Sequence, residues 1–380
     1  MKILVLCYEY PPVGGGGGRV AAQVARGLAS RGHEVKVVTA GLSHLARHEW
    51  DEKVEVLRPR SFRKREDTCS VPEMALYLIT SFFPALRVCR DWQPDVLHAH
   101  FVVPTGVLAL VLHGLTGIPY VLTAHLGDVP GGVPEQTGFL FRLLGPFLRP
   151  LWKKAAAVTA VSGHVAGLVR EASGVRAEVI LNGLPPQNQA FRAVCGDPPR
   201  ILMLGRLSEQ KDPLLAVRAL ALIRDRKWTL EVVGEGPLGG AMRALCGECG
   251  IADRVTFSGW LGGGEVSKHL AGSDILLMTS SSEGLPMAGV EALQHGLAIV
   301  GSRIGGLADI VEDGLNGFLC ARTPGDFAEA LSICLDNPPL LDAMRAASYA
   351  TSSRFDLEDR VRDYEGVLKS AARMGAKPTE

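Results

Sequence analysis

The chain alternates short apolar runs with segments of helical period, and it does so in two series. The first series of apolar runs covers 2–7 (KILVLC), 34–40, 54–57, 94–99, 119–124, 156–161 and 177–181. Its opening run is followed by Pro11, Pro12 and the glycines Gly14 to Gly18, then by 19–31, where Val20, Val24 and Leu28 recur at helical spacing. A strand, a helix and a second strand in this order form a parallel crossover unit rather than a hairpin. At Asn182-Gly183-Leu184-Pro185-Pro186 the pattern breaks into turn residues, which marks a hinge. The second series follows at 200–205, 228–233, 254–258, 274–279 and 297–301, with helical segments between. A final stretch, 356–372, carries Leu357, Val361, Tyr364 and Leu368 at helical spacing.

This predicts an α/β chain of two Rossmann-like, doubly wound domains, a size that 380 residues accommodates comfortably. The expected boundaries are 1–183, 184–353 and a terminal helix in 354–380. Ligands of such sheets bind outside the carboxyl ends of the strands. If the two domains face one another, the cleft between them is the expected site.

Hydrophobic residues at 47% and charged residues at 21% argue against disorder. A formal net charge of zero gives no global case for nucleic acid. No secretory signal and no apolar run long enough for a membrane span is legible, and the eight scattered cysteines suit reduced thiols, so a cytoplasmic location is expected. Cys246 and Cys249 form a lone C-x-x-C without the second pair that zinc needs. Local charge is less even. Arg58, Arg60, Arg63, Lys64 and Arg65 crowd together, and 74–90 and 139–154 mix apolar with basic residues. Such stretches suit either one-sided buried helices or peripheral contact with an anionic membrane face.

Three loops could carry chemistry. In the stretch from Ser273 to Phe318 an apolar run ends near Thr279, a Ser-rich loop leads to Glu283, and Gly284-Leu285-Pro286 opens a helix with Met287, Ala288 and Glu291. The helix N-terminus suits a phosphate, while the two carboxylates can meet different parts of an extended ligand. Arg206 and Lys211 follow the run 200–205, where two cations suit a diphosphate and its departing charge. The bland alternative is a loop ion pair with Glu209 or Asp212. The glycine loop at 14–18 lets backbone approach phosphate but does not spell a P-loop, because Arg19 follows Gly18. Gly234, Gly236 and Gly239 match G-x-G-x-x-G, although Pro237 interrupts the loop. His98, His100 and His125 follow or end apolar runs. His98 suits a structural role, His125 substrate contact, and no carboxylate sits at metal-ligand spacing, so no metal is expected.

Together these residues resemble the GT4 family of retaining glycosyltransferases with the GT-B fold, over nearly the whole chain. Pro11-Pro12 with the glycines, Arg31-Gly32-His33-Glu34-Val35, Asp95 to His100, Thr123-Ala124-His125, Gly205-Arg206-Leu207 to Lys211, Gly234-Glu235-Gly236-Pro237, and Glu283 to Glu291 carry the resemblance. Gly305-Gly306 and Asp313-Gly314-x-x-Gly317 continue it. The resemblance implies that Arg206 and Lys211 bind a donor diphosphate, Glu283 sits by the donor sugar and Glu291 holds the ribose hydroxyls. It implies phosphate contact from backbone at Gly284, Leu285, Met287 and Ala288, and approach of Gly15 and Gly16. It places His125 near the reacting carbon, with Trp260 and Leu261 where backbone reads the base. The donor would be a UDP- or GDP-sugar, with no cofactor beyond it, and the acceptor a hydroxyl of a sugar or lipid-linked molecule, as in polysaccharide synthesis. The alternatives are a sugar-nucleotide epimerase of the same fold, a non-catalytic sugar-nucleotide-binding subunit, and, on the weak glycine pattern alone, NAD-linked oxidoreduction. The sequence departs from the family at Leu285, often Phe, and at Asn182-Gly183-Leu184-Pro185, which lacks the usual Asp.

Overall fold

A computed structural model describes residues 1–66, 69–133, 138, 141, 145, 148–187 and 191–375. The chain divides into two compact units, Met1–Gly183 together with the segment from Leu357, and Leu184–Asp356.

The strands of the first unit are β1 (Lys2–Leu6), β2 (Glu34–Val38), β3 (His48–Asp51), β4 (Val54–Leu57), β5 (Val96–His100), β6 (Tyr120–Ala124), β7 (Ala157–Ala160) and β8 (Glu178–Val179). Among the described residues they form one sheet in the order β3-β4-β2-β1-β5-β6-β7-β8. Only the β3–β4 edge is antiparallel among the described pairings. Ile3, Leu4 and Leu6, with Val96, Leu97, Val121 and Leu122, are fully buried. Continuous apolar runs of this kind are what a sheet covered on both faces demands. The helix Gly16–Ser30 buries Val20, Val24 and Leu28 and begins inside the glycine run, three residues before the expected start at 19. Wound from β1 to β2 on one side and from β1 to β5 on the other, the sheet has its switch point between β1 and β5.

The second unit contains β9 (Arg200–Leu204), β10 (Thr229–Val233), β11 (Val255–Gly259), β12 (Ile275–Met278), β13 (Ala298–Ser302) and β14 (Gly317–Cys320). Their order is β11-β10-β9-β12-β13-β14, with parallel pairings throughout the described residues. The switch point lies between β9 and β12. Trp228, Leu230, Ile275, Phe327 and Leu331 form part of its core. Cys246 is buried in that core, where desolvation raises its thiol pKa, and all eight cysteines are free.

The terminal helix Leu357–Gly375 belongs with the first unit, where Val361, Tyr364 and Leu368 are buried. Gly27 makes room for it: a Cβ there would lie 2.4 Å from Val361 Cγ2. Glu365 receives hydrogen bonds from Arg31, His33 and Lys369, and these partners hold its carboxyl down at about 2.

The basic run 58–65 is not the uniform surface patch that its composition suggests. Arg58 and Arg63 are buried. Arg58 donates to the carbonyls of Pro11, Tyr10 and Ala40 and pairs with Glu49. Arg63 donates to the carbonyls of Tyr8, Arg65 and Glu66. Buried loop carbonyls need donors, and a guanidinium supplies several from one side chain. The helix Val71–Asp91 buries Tyr77, Ala85, Leu86 and Cys89, while Ile79 and Phe83 are exposed. Of the stretch 139–154, seven residues (139–140, 142–144 and 146–147) lie outside the described residues, and Leu148, Leu151 and Trp152 are buried. No described helix is long and apolar enough to cross a membrane.

Candidate active site

At the switch point of the second unit the loops after β9 and β12 are stitched together. Thr279 Oγ1 donates to the carbonyls of Lys211 and Asp212, Ser281 N to Gln210 O, and Gln210 Nε2 to Ser282 O. This brings Lys211 Nζ to 2.5 Å from Glu283 Oε1, and Ser280 Oγ donates to the same oxygen at 2.6 Å. Glu283 is buried and Lys211 half-buried. The expected loop partners of Lys211 are corrected accordingly: it pairs with Glu283, while Asp212 caps the helix Pro213–Ala221 and pairs with Arg322. Arg206 is exposed on the same loop.

The helix Met287–Gln294 starts immediately beyond this pair, with Pro286 as its N-cap. In its first turn the N–H of Gly289 bonds the Pro286 carbonyl at 3.0 Å, while those of Met287 and Ala288 lie ahead of the first intrahelical bond. Glu291 is half-buried on the same helix. A cation, a carboxylate and the start of a helix thus lie on adjoining stretches of these loops.

Backbone packing explains the glycines here. A Cβ on Gly306 would lie 2.2 Å from Gly284 O and 2.5 Å from Glu283 O. One on Gly234 would lie 2.0 Å from Gly205 O, and one on Gly236 2.4 Å from Leu207 O. Gly234 and Gly236 therefore let two protein loops touch. Trp260 is exposed and Leu261 half-buried just after β11.

In the first unit, the loop after β1 meets residues following β5 and β6. Gly14 sits at φ +101°, and its N–H donates to Glu66 O at 2.7 Å. Gly15 N donates to Glu9 Oε2 at 3.1 Å, and a Cβ on Gly15 would meet nothing within 4 Å. Gly16 opens the first helix. Gly17 packs against the histidine: its Cβ would fall 2.5 Å from the Phe101 ring and 3.3 Å from His125 Nδ1. Phe101 adopts φ +72°, a left-handed backbone rarely taken by an aromatic residue, and its ring centroid is 4.4 Å from that of His125.

His125 is buried, and Asp128 accepts hydrogen bonds from the backbone N–H of His125 and Leu126. Desolvation lowers its pKa, with Asp128 opposing. His125 Nε2 lies 3.2 Å from His100 Nδ1. His100 is held well below its ordinary pKa by burial and by its histidine neighbours, and burial lowers His98 to about 3. All three rings are therefore neutral near pH 7. His100 Nε2 has no partner among the described residues. A buried lone pair is cheaper to leave unmatched than a buried N–H, which assigns the His100 proton to Nδ1 and the His125 proton to Nδ1. His98 Nε2 bonds Thr123 Oγ1 at 2.8 Å, as a structural histidine does, and the Tyr364 ring lies 5.3 Å from His98.

Residues 14–188 match the family Glycosyltransferase Family 4, and 187–351 match Glycosyl transferases group 1. The chain belongs to the GT4-type glycosyltransferases. A similar curated relative of this glycosyltransferase is 2-deoxystreptamine glucosyltransferase of Streptomyces kanamyceticus, 28% identical over 91% of this chain and 97% of the relative. Among solved structures, sucrose-phosphate synthase of Thermosynechococcus elongatus superposes with a TM-score of 0.81 at 18% identity, covering 97% of this chain and 98% of the other. HepE of Anabaena in complex with UDP and glucose gives 0.74 at 21% identity, covering 97% and 100%. The fold is GT-B.

The sequence singles out neither Ser280 nor Gly17, whereas His100, like His125, follows an apolar run from which a side chain can reach the site. Ser280 lay in a loop read only as Ser-rich, and Gly17 was one of five like residues. The pairing of His100 with His125 depends on the β5–β6 register, which sets His100 opposite Thr123.

Proposed function

We propose that this glycosyltransferase moves a sugar, with retention of anomeric configuration, from a UDP- or GDP-sugar to a hydroxyl of a sugar or lipid-linked acceptor. The observation that carries the reading is the Lys211–Glu283 pair at the switch point of the second unit, beside the N-terminus of Met287–Gln294. In this reading Arg206, Lys211 and the first-turn N–H groups at Met287 and Ala288, with Gly284 and Leu285, hold the diphosphate. They stabilise the negative charge that grows as the sugar–phosphate bond breaks. Two cations and a helix terminus compensate that charge, so in this reading the reaction runs without a metal ion. Glu291 accepts from the ribose hydroxyls, and Leu261 lies beside the base. The solved relative HepE holds UDP and glucose, which supports a nucleotide-sugar donor.

The acceptor hydroxyl attacks on the face from which the nucleotide departs, and its proton passes to the leaving phosphate oxygen. Glu283 positions the sugar. Its Oε1 is already engaged by Lys211 and Ser280, which suits a positioning carboxylate better than an attacking one. His125 presents an Nδ1–H that can donate to a sugar oxygen, and Gly15 and Gly16 leave backbone accessible beside it. Peripheral membrane contact through the exposed Ile79 and Phe83 face would suit a lipid-linked acceptor.

The reading is tested by incubating the protein with UDP- and GDP-sugars and an acceptor panel, then assigning the product anomer by NMR coupling. Retention of the donor's configuration is the expected result. An inverted product, or an epimerised donor formed without acceptor, overturns it.

A further inference from the structure

The first unit contains a cavity of about 540 Å³ at the carboxyl ends of β2 and β4, lined by residues of 41–47 and 58–64. It is separate in sequence from the loops assigned to the donor, and its cations enter the account above only as part of a basic run and, for Arg58 and Arg63, as donors to loop carbonyls. Its walls are fixed: Gly41 and Arg60 form a parallel backbone bridge, and Ser61 Oγ donates to Gly41 O at 2.7 Å. Leu42, Leu45 and Phe62 give it an apolar lining, and Arg47, Arg60 and Lys64 give it positive charge.

Three observations point to a ligand. No carboxylate is among the described lining residues. The side chains of Arg47, Arg60 and Lys64 are exposed and make no ion pair among the described residues, whereas the neighbouring Arg58 and Arg63 are consumed by loop carbonyls. Phe62 holds φ +55° and leaves its ring 65% exposed. A left-handed backbone at an exposed aromatic costs free energy twice, and such residues cluster at ligand sites.

We propose that this cavity binds a phosphate monoester carrying a ring or short hydrocarbon, with Arg60, Lys64 and Arg47 on the phosphate and Phe62, Leu42 and Leu45 against the apolar part. Guanidinium forks match phosphate oxygens in pairs, and the volume lies within the range of small-molecule sites. The phosphate could be free in solution or part of a lipid headgroup. Binding here is independent of the nucleotide-sugar reading, because the site involves none of its residues.

The test is calorimetric titration of the full chain, without nucleotide, with phenyl phosphate, inorganic phosphate and the neutral phenyl glucoside. Phenyl phosphate is expected to bind at least ~10-fold more tightly than either comparator, and more weakly as salt rises. Arg60→Glu/Lys64→Glu should abolish binding and Phe62→Ala should weaken it about 10-fold, with Tm unchanged in both because the three side chains are exposed. Competition by phenyl phosphate against cosedimentation with phosphatidic-acid vesicles would identify the headgroup as a ligand of the same cavity; absence of competition, with phenyl phosphate bound, assigns the soluble ester. No phenyl phosphate binding, or binding unchanged in Arg60→Glu/Lys64→Glu, overturns the proposal.

Discussion

Lys211 Nζ and Glu283 Oε1 lie 2.5 Å apart although 72 residues separate them in sequence. The contact exists because β9 and β12 are neighbours at the sheet's switch point, so the loop leaving one strand meets the loop leaving the other. In the proposed reading this cation and carboxylate exchange partners when a diphosphate and a sugar arrive.

Lys211→Ala removes the cation and leaves the Glu283 carboxylate buried with Ser280 alone. Glycosyl transfer should fall about 10²- to 10³-fold in kcat/KM, as for loss of one charge-stabilising donor. Glu283→Gln keeps the shape, so nucleotide affinity should hold while turnover drops. Steady-state kinetics with nucleotide titration on both variants check this. Equal losses of nucleotide affinity in the two would contradict the division of roles.

Gly306→Ala is expected to damage the site from a distance. Its Cβ would meet Gly284 O at 2.2 Å and Glu283 O at 2.5 Å, so the loop bearing Glu283 must move. Turnover should fall at least ~10-fold, since small misplacements at a reacting centre are costly. Far-UV circular dichroism should be unchanged. Wild-type kinetics in this variant would mean that Glu283 does not need its observed position.

His100 Nδ1 lies 3.2 Å from His125 Nε2, so a role for His125 in transfer would make His100 its positioning residue. If His100 donates from Nδ1, the His125 proton sits on Nδ1, and long-range 15N–1H correlation spectra should show that tautomer. His100→Asn should lower kcat with KM for the donor little changed. A wild-type spectrum with His125 protonated at Nε2 would contradict the assignment.

Burial holds His98 at about 3 and His100 well below its ordinary range. Between about pH 6.5 and those native values the unfolded chain binds protons that the native chain does not. Stability is therefore unaffected by these groups above about pH 6.5 and falls with pH below it, by up to about 1.4 kcal/mol per pH unit for each histidine. Urea unfolding at about pH 7 and pH 5.5 measures the drop, and His98→Gln should reduce it. Glu365, held at about 2 by Lys369, His33 and Arg31, adds stability that is present above the ordinary carboxylate range and is lost as pH falls through about 2.

Much of this architecture is legible in the sequence, because the buried parallel strands, such as β1, β6 and β13, are unbroken apolar runs bounded by turn residues. Two strands escape that signal. β3 is the polar, largely exposed segment HEWD on an antiparallel edge, where no face is deeply buried. β14 is short and starts at Gly317, whose Cβ would fall 2.0 Å from Ile299 O, so close strand approach replaces apolar character. The sequence places its candidate site residues beside helix starts and strand ends, where loops at the carboxyl edge of the sheet lie. Partnerships are not legible: Arg58 and Arg63 read as surface charge because sequence does not show which carbonyls a buried loop leaves unmatched.

In the proposed reading the Arg206–Lys211 loop and the start of Met287–Gln294 hold a nucleotide diphosphate. Calorimetric titration of wild type and Arg206→Ala/Lys211→Ala with UDP and GDP tests it most directly. One of the two nucleotides should bind the wild type, and the double variant should lose at least ~100-fold in affinity. Binding of neither nucleotide, or equal binding by wild type and variant, would contradict it.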